Sequence, residues 1–103
     1  MNRITLEPKY AAEINKYVFD FTSKLAVGET ISTAVITAYV YSGTDALPSN
    51  IISGSASISG AKVTQTIIGG TAGVTYLLIM QITTSASQQL VLNGYLTILP
   101  YTA

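Results

Sequence analysis

The clearest alternation of apolar and polar positions runs from Thr75 to Thr84. Tyr76, Leu78, Met80 and Ile82 fall on one side of an extended chain, and Thr75, Leu77, Ile79, Gln81 and Thr83 on the other. A run that is apolar on both sides predicts a strand in the middle of a sheet. The Gly-rich turn Gly69-Gly70-Thr71-Ala72-Gly73 leads into it. Tyr17-Val18-Phe19-Asp20-Phe21 also alternates, with its aromatics on one face, and predicts a short strand. Residues 30–41 are β-branched and aromatic without Gly or Pro, which predicts another strand. Turn residues then fill 42–50. Residues 51–58 have little to pack and predict an edge strand or an interrupted one. Residues 61–68 alternate again, with Val63, Gln65 and Ile67 in phase. After the polar connection Ser85-Ala86-Ser87-Gln88, residues 89–99 place Leu90, Leu92, Leu96 and Ile98 on one face. Gly94 shares that face and marks either a bulge or a close backbone approach.

About six or seven short strands separated by turns predict an all-β, antiparallel β-sandwich with no helix longer than a turn or two. The expected core comprises Tyr17, Phe19, Phe21, Tyr76, Leu78, Met80 and Ile82, and Tyr39 joins it as a core tyrosine. The hydroxyl of Tyr76, close behind Gly73, is expected to bond backbone at the preceding corner. Residues 1–16 lack a periodic apolar face and contain Pro8, so they read as an N-terminal arm, with 17–103 as the sandwich domain. The segment 10–14 reads as one helical turn or as part of that arm. With Ile4, Leu6, Tyr10 and Ile14 along it, the arm is expected to touch a neighbouring chain in an assembly. Residues 2–9 are then expected to be dispensable to the isolated fold.

Charge narrows the functional classes. The 103 residues carry formal net charge zero, and 10% are charged, against roughly a quarter in an average soluble domain. Lys62 is the last charged residue. Such a chain has no electrostatic footprint for nucleic acid or an anionic membrane. Its surface is either kept wet by Ser and Thr or covered by partners. No apolar run approaches a membrane span or a signal-peptide core. There is no Cys and no His, which removes thiolate chemistry, the usual general base and the commonest metal ligand. The carboxylates Glu7, Glu13, Asp20, Glu29 and Asp45 all lie in the first half and read as strand-end and turn residues. The Gly-rich turn has no Lys and no helix after it, so it is not a phosphate loop. The reading is a protein without enzymatic activity, cofactor or metal.

What remains is contact. With Tyr76, Leu78, Met80 and Ile82 inward, Leu77 and Ile79 face out. On the partner strand Val91 and Tyr95 do the same. These four predict one uncharged apolar patch, an interface unless a loop or the arm of the same chain covers it. Tyr10, Tyr41 and Tyr101 are further candidate contact residues.

Tyr17-Val18-Phe19-Asp20-Phe21, Leu25 and Gly28-Glu29-Thr30-Ile31, followed by Gly69-Gly70-Thr71-Ala72-Gly73, Tyr76 and Ile82-Thr83-Thr84-Ser85, make a pattern. It resembles the small virion proteins of tailed bacteriophages described as fibre-tail adaptor or head–tail accessory proteins. The resemblance spans roughly residues 7–99. Ile67-Ile68 stands where that group often has a tryptophan, and Ala86-Ser87-Gln88 where it often has Gly-Arg. The resemblance implies an immunoglobulin-like sandwich and a structural virion protein assembled in the host bacterial cytoplasm. It would act as a non-catalytic adaptor joining tail, fibre or head–tail parts. Its partners would be other virion proteins (tail, fibre or capsid subunits), in a homo-oligomeric ring or other multi-copy assembly. A capsid-cementing head decoration protein and a receptor- or carbohydrate-binding β-sandwich module are the alternatives.

Overall fold

The computed structural model describes residues 3–100 and builds them into two stacked sheets. In chain order the strands are β1 (Arg3–Thr5), β2 (Asn15–Asp20), β3 (Ile31–Ser42), β4 (Ile52–Ser59), β5 (Lys62–Ile67), β6 (Thr75–Thr84) and β7 (Gln89–Thr97). A four-stranded sheet has the order β1-β7-β6-β3, and a three-stranded sheet the order β2-β5-β4. The protein is all-β, with 3-10 turns at Thr22–Lys24 and Pro48–Ile51. Every ladder is antiparallel except β1 on β7, which is parallel.

Period-2 alternation sets the core. Tyr76, Leu78, Met80 and Ile82 of β6 are fully buried, with Leu92 and Leu96 of β7 beside them. From the other sheet come Tyr17, Phe19, Val63 and Ile67, with Phe21 just past β2. β6 lies between β7 and β3, as its two-sided apolar pattern requires. Gly94 is a close approach and not a bulge, since the β6–β7 register runs unbroken past it. A Cβ there would meet Leu6 at 3.0 Å and Phe19 at 3.3 Å.

Residues 3–16 are part of this architecture. β1 hydrogen-bonds along β7, Leu6 packs in the core, and Lys9 bridges to Ile98. The Lys9 side chain is buried, with Nζ donating to the Tyr10 carbonyl at 2.8 Å and the Gly69 carbonyl at 2.6 Å. Desolvation lowers its pKa, and the nearby Glu13 carboxylate opposes that shift. Leu6 and Lys9 therefore carry interior contacts, which runs against the expectation that residues 2–9 are dispensable to the isolated fold. Residues 10–14 form a hydrogen-bonded turn, with the Glu13 N–H on the Tyr10 carbonyl.

The second buried polar side chain explains the weak strand. β4 breaks register against β5 between Ser53 and Ser57. Gln65 of β5 is buried beneath the break and donates through Nε2 to the carbonyls of Ser53, Gly54 and Thr66. A side-chain amide thus takes the place of lost ladder bonds.

Candidate interaction surface

The carboxylates of Asp45, Glu29 and Asp20 hold turns. The Tyr76 hydroxyl accepts the Thr71 N–H at 2.9 Å and donates to the Asp45 carboxylate, the geometry of a tyrosine corner. It ties the Gly-rich turn to the 43–47 loop. That hydroxyl, then the Leu47 N–H, keeps the Asp45 carboxyl below its ordinary pKa, while burial raises that of Tyr76. At the opposite end of β6, Glu29 accepts from the Thr84 hydroxyl and the Ala26 N–H, which lower its pKa in that order. Asp20 accepts from the hydroxyl and N–H of Thr22. Asp20 and Glu29 are thus engaged by separate partners. The depression between the 26–29 turn and the 85–88 hairpin is shallow and open. Among the described residues, no cluster of carboxylates could hold a metal ion.

The outward face of the four-stranded sheet has a different character. Leu77 stands directly opposite Tyr95 of β7, Ile79 opposite Asn93, and Gln81 opposite Val91. Leu77, Ile79 and Tyr95 are half-buried, and Val91 is exposed. These four share one face, with Asn93 among them. Asn93 Oδ1 is buried there with no hydrogen-bond partner among the described residues. Tyr10 is half-buried in the turn before β2, its N–H on Glu13 Oε1 at 2.8 Å. Tyr101 lies outside the described residues.

β3 widens this face in a way that alternation alone did not reveal. It pairs with β6 so that Tyr39 stands opposite Leu77, Thr37 opposite Ile79 and Val35 opposite Gln81. Tyr39 is therefore an outward residue, 51% exposed, and not a core tyrosine. The inward positions go to Ala34, Ile36, Ala38 and Val40. Two alanines suffice there because Ile82 and Leu78 stand opposite them. Small residues facing large ones were the available signal for this phase. The Tyr41 and Tyr95 rings lie 4.6 Å apart between centroids at 44°, within the range of attractive aromatic pairs. No Asp, Glu, Lys or Arg occurs in β3, β6 or β7.

A family model described as podophage GP4 fiber-tail adaptor protein gp77 matches residues 9–96. The chain belongs to that family. The matched span begins at the buried Lys9 and ends at Leu96 in the core, so this fiber-tail adaptor sequence covers β2 to β7 and both sheets. Membership makes the chain a phage structural protein of the adaptor type and implies a place in the virion. No curated protein matches it.

Proposed function

We propose that this domain joins the tail and fibre parts of a phage particle as a non-catalytic adaptor. It does so by burying the outward face of its four-stranded sheet against other virion proteins. Leu77, Ile79, Val91 and Tyr95 form the centre of that contact, and Tyr10 adds a contact from its turn. Val35, Tyr39 and Tyr41 extend it. The observation that carries this reading is the absence of charge from β3, β6 and β7, on a face with so many exposed or half-exposed apolar side chains. Such faces are uncommon on free-standing domains and tend to mark interfaces. The family supports a place in the virion; the reading adds to it a multi-copy assembly formed in the host cytoplasm.

The test is the double substitution Leu77→Thr, Ile79→Lys. Both side chains point away from the core, so the isolated domain should keep its thermal midpoint while incorporation into particles falls. Incorporation at the wild-type level would sink the assignment. Unfolding of the isolated domain would show the face to be internal.

A further inference from the structure

β3 is an outermost strand, hydrogen-bonded to β6 alone among the described strands. β4 and the 3-10 turn at Pro48–Ile51 pack against it without forming a ladder. A free strand edge is a row of unpaired backbone donors and acceptors. Natural sheets blunt such edges with short strands, charges, proline or bulges. Three of the four edges here are treated in this way. β1 has only 3 residues, β2 carries Lys16 and Asp20, and β4 is broken at Ser53/Ser57 and contains Gly54. β3 has 12 residues with no charge, Pro or Gly. Its two register shifts lie near its ends, at Ile31/Thr33 and Val40/Ser42, so residues 33–40 form a regular open edge.

We propose that this edge pairs with β3 of a second copy of the chain. The two strands run antiparallel about a two-fold axis through Thr37, so that one sheet continues through both copies. The sequence of the edge is complementary to itself in that register. Val35 meets Tyr39 of the second copy, Thr37 meets Thr37, Ile36 meets Ala38 and Ala34 meets Val40. The outer pairs are aromatic with β-branched and Thr with Thr, both favourable across strands, and no like charges meet. The inner pairs set a large side chain against a small one. Val35 and Tyr39, 63% and 51% exposed in the single chain, cover each other. An axis through Ile36 would instead set Ala34 against Ala38 and leave a gap between the copies. An axis through Ala38 would set Val35 against Tyr41, inside the register shift. The contact is isologous and closes on itself. It does not depend on what the sheet's outer face binds.

The test uses the full chain with Thr37→Lys and Thr37→Glu, which change an exposed outward position. Sedimentation equilibrium and native mass spectrometry should find wild type dimeric. Each variant should be monomeric, its dimer constant at least about a hundredfold weaker because like charges face each other. Circular dichroism should show both variants folded. Mixing the two should restore a dimer holding one copy of each, since Lys then faces Glu. The proposal is overturned by a monomeric wild type, which would leave the edge to an extended segment of another protein. It is equally overturned by species larger than two, by a dimer that survives either substitution, or by a mixture that fails to recover pairing.

Discussion

The two outer faces of the sandwich rest on the same core yet are finished differently. On the three-stranded sheet the outward residues of β2 and β5 are Lys16, Val18, Asp20, Lys62, Thr64 and Thr66, with Ser53, Ser57 and Ser59 beside them on β4. Val18 is the single large apolar side chain of that set, and Asp20 stands opposite Lys62. On β3, β6 and β7 of the four-stranded sheet the corresponding positions are Val35, Thr37, Tyr39, Leu77, Ile79, Gln81, Val91, Asn93 and Tyr95, without a charge. Tyr17, Phe19, Val63 and Ile67 inside the three-stranded sheet are as buried as Tyr76, Leu78, Leu92 and Leu96 inside the four-stranded one. Folding therefore does not require the uncharged finish, because the three-stranded sheet forms its half of the core with a water-adapted exterior. The difference lies on the link between surface and association.

The interior shared by both faces sets the largest expected effects. Tyr76→Ala removes a buried ring and the bond between two loops. It should cost about 3–5 kcal/mol by denaturant unfolding, and a loss under about 1 kcal/mol, typical of surface sites, would rule out the corner. Deleting residues 2–9 strips the four-stranded sheet of β1, Leu6 and Lys9. It should destabilise by at least the about 2–5 kcal/mol expected for Leu6→Ala alone, and an unchanged midpoint would show the arm to be peripheral. The faces themselves should separate next. Val18→Lys on the three-stranded sheet should leave both the stability and the assembly of the protein near wild type. Leu77→Thr, Ile79→Lys should spare the first and abolish the second, and equal behaviour of the two variants would erase the contrast.

The smallest effect is electrostatic. Asp45, Glu29 and Asp20 all have folded pKa values below the ordinary carboxylate range. In acid the unfolded chain binds protons first, so their contribution is complete above the ordinary values and is lost as pH falls through the lowered ones. Thermal midpoints should hold from neutral pH to the ordinary glutamate value of 4.5 and decline below it, more steeply past the ordinary aspartate value of 3.8. Asp45→Asn should flatten part of that decline. An acid limb unchanged in this variant would mean that the Tyr76–Asp45 bond contributes nothing to it.

The parts of this fold legible in the sequence are those that neighbours in sequence determine. β6 showed its inward face because its apolar run is long and Tyr76 follows a Gly-rich corner. Phe19 was equally plain in the alternation of aromatics from Tyr17 to Phe21. Tyr39 was not, because Val35, Thr37 and Tyr39 and the alternate set Ala34, Ile36, Ala38 and Val40 are both apolar enough to face inward. Only pairing with β6 decides between them. Lys9 was hidden for another reason: a lysine reads as solvent-exposed until carbonyls from residue 69 are known to surround its ammonium. Of the proposed contact surface, Leu77, Ile79, Val91 and Tyr95 followed from alternation, whereas the contribution of β3 needed the sheet order.

The parallel pairing of Arg3–Thr5 with Asn93–Tyr95 also has a consequence in time. During synthesis β1 leaves the ribosome before every other described strand and β7 after them, so the first strand made must wait for the last. At a synthesis rate of about 5–20 residues per second, that delay is several seconds, comparable with the slow end of β-sandwich folding. In its last part β6 lacks the neighbour that completes its sheet, and β3 is already present with an open edge. A newly made copy thus passes through an interval in which chaperone capture or premature pairing competes with its own completion, and the closing event joins the first and last of the described strands.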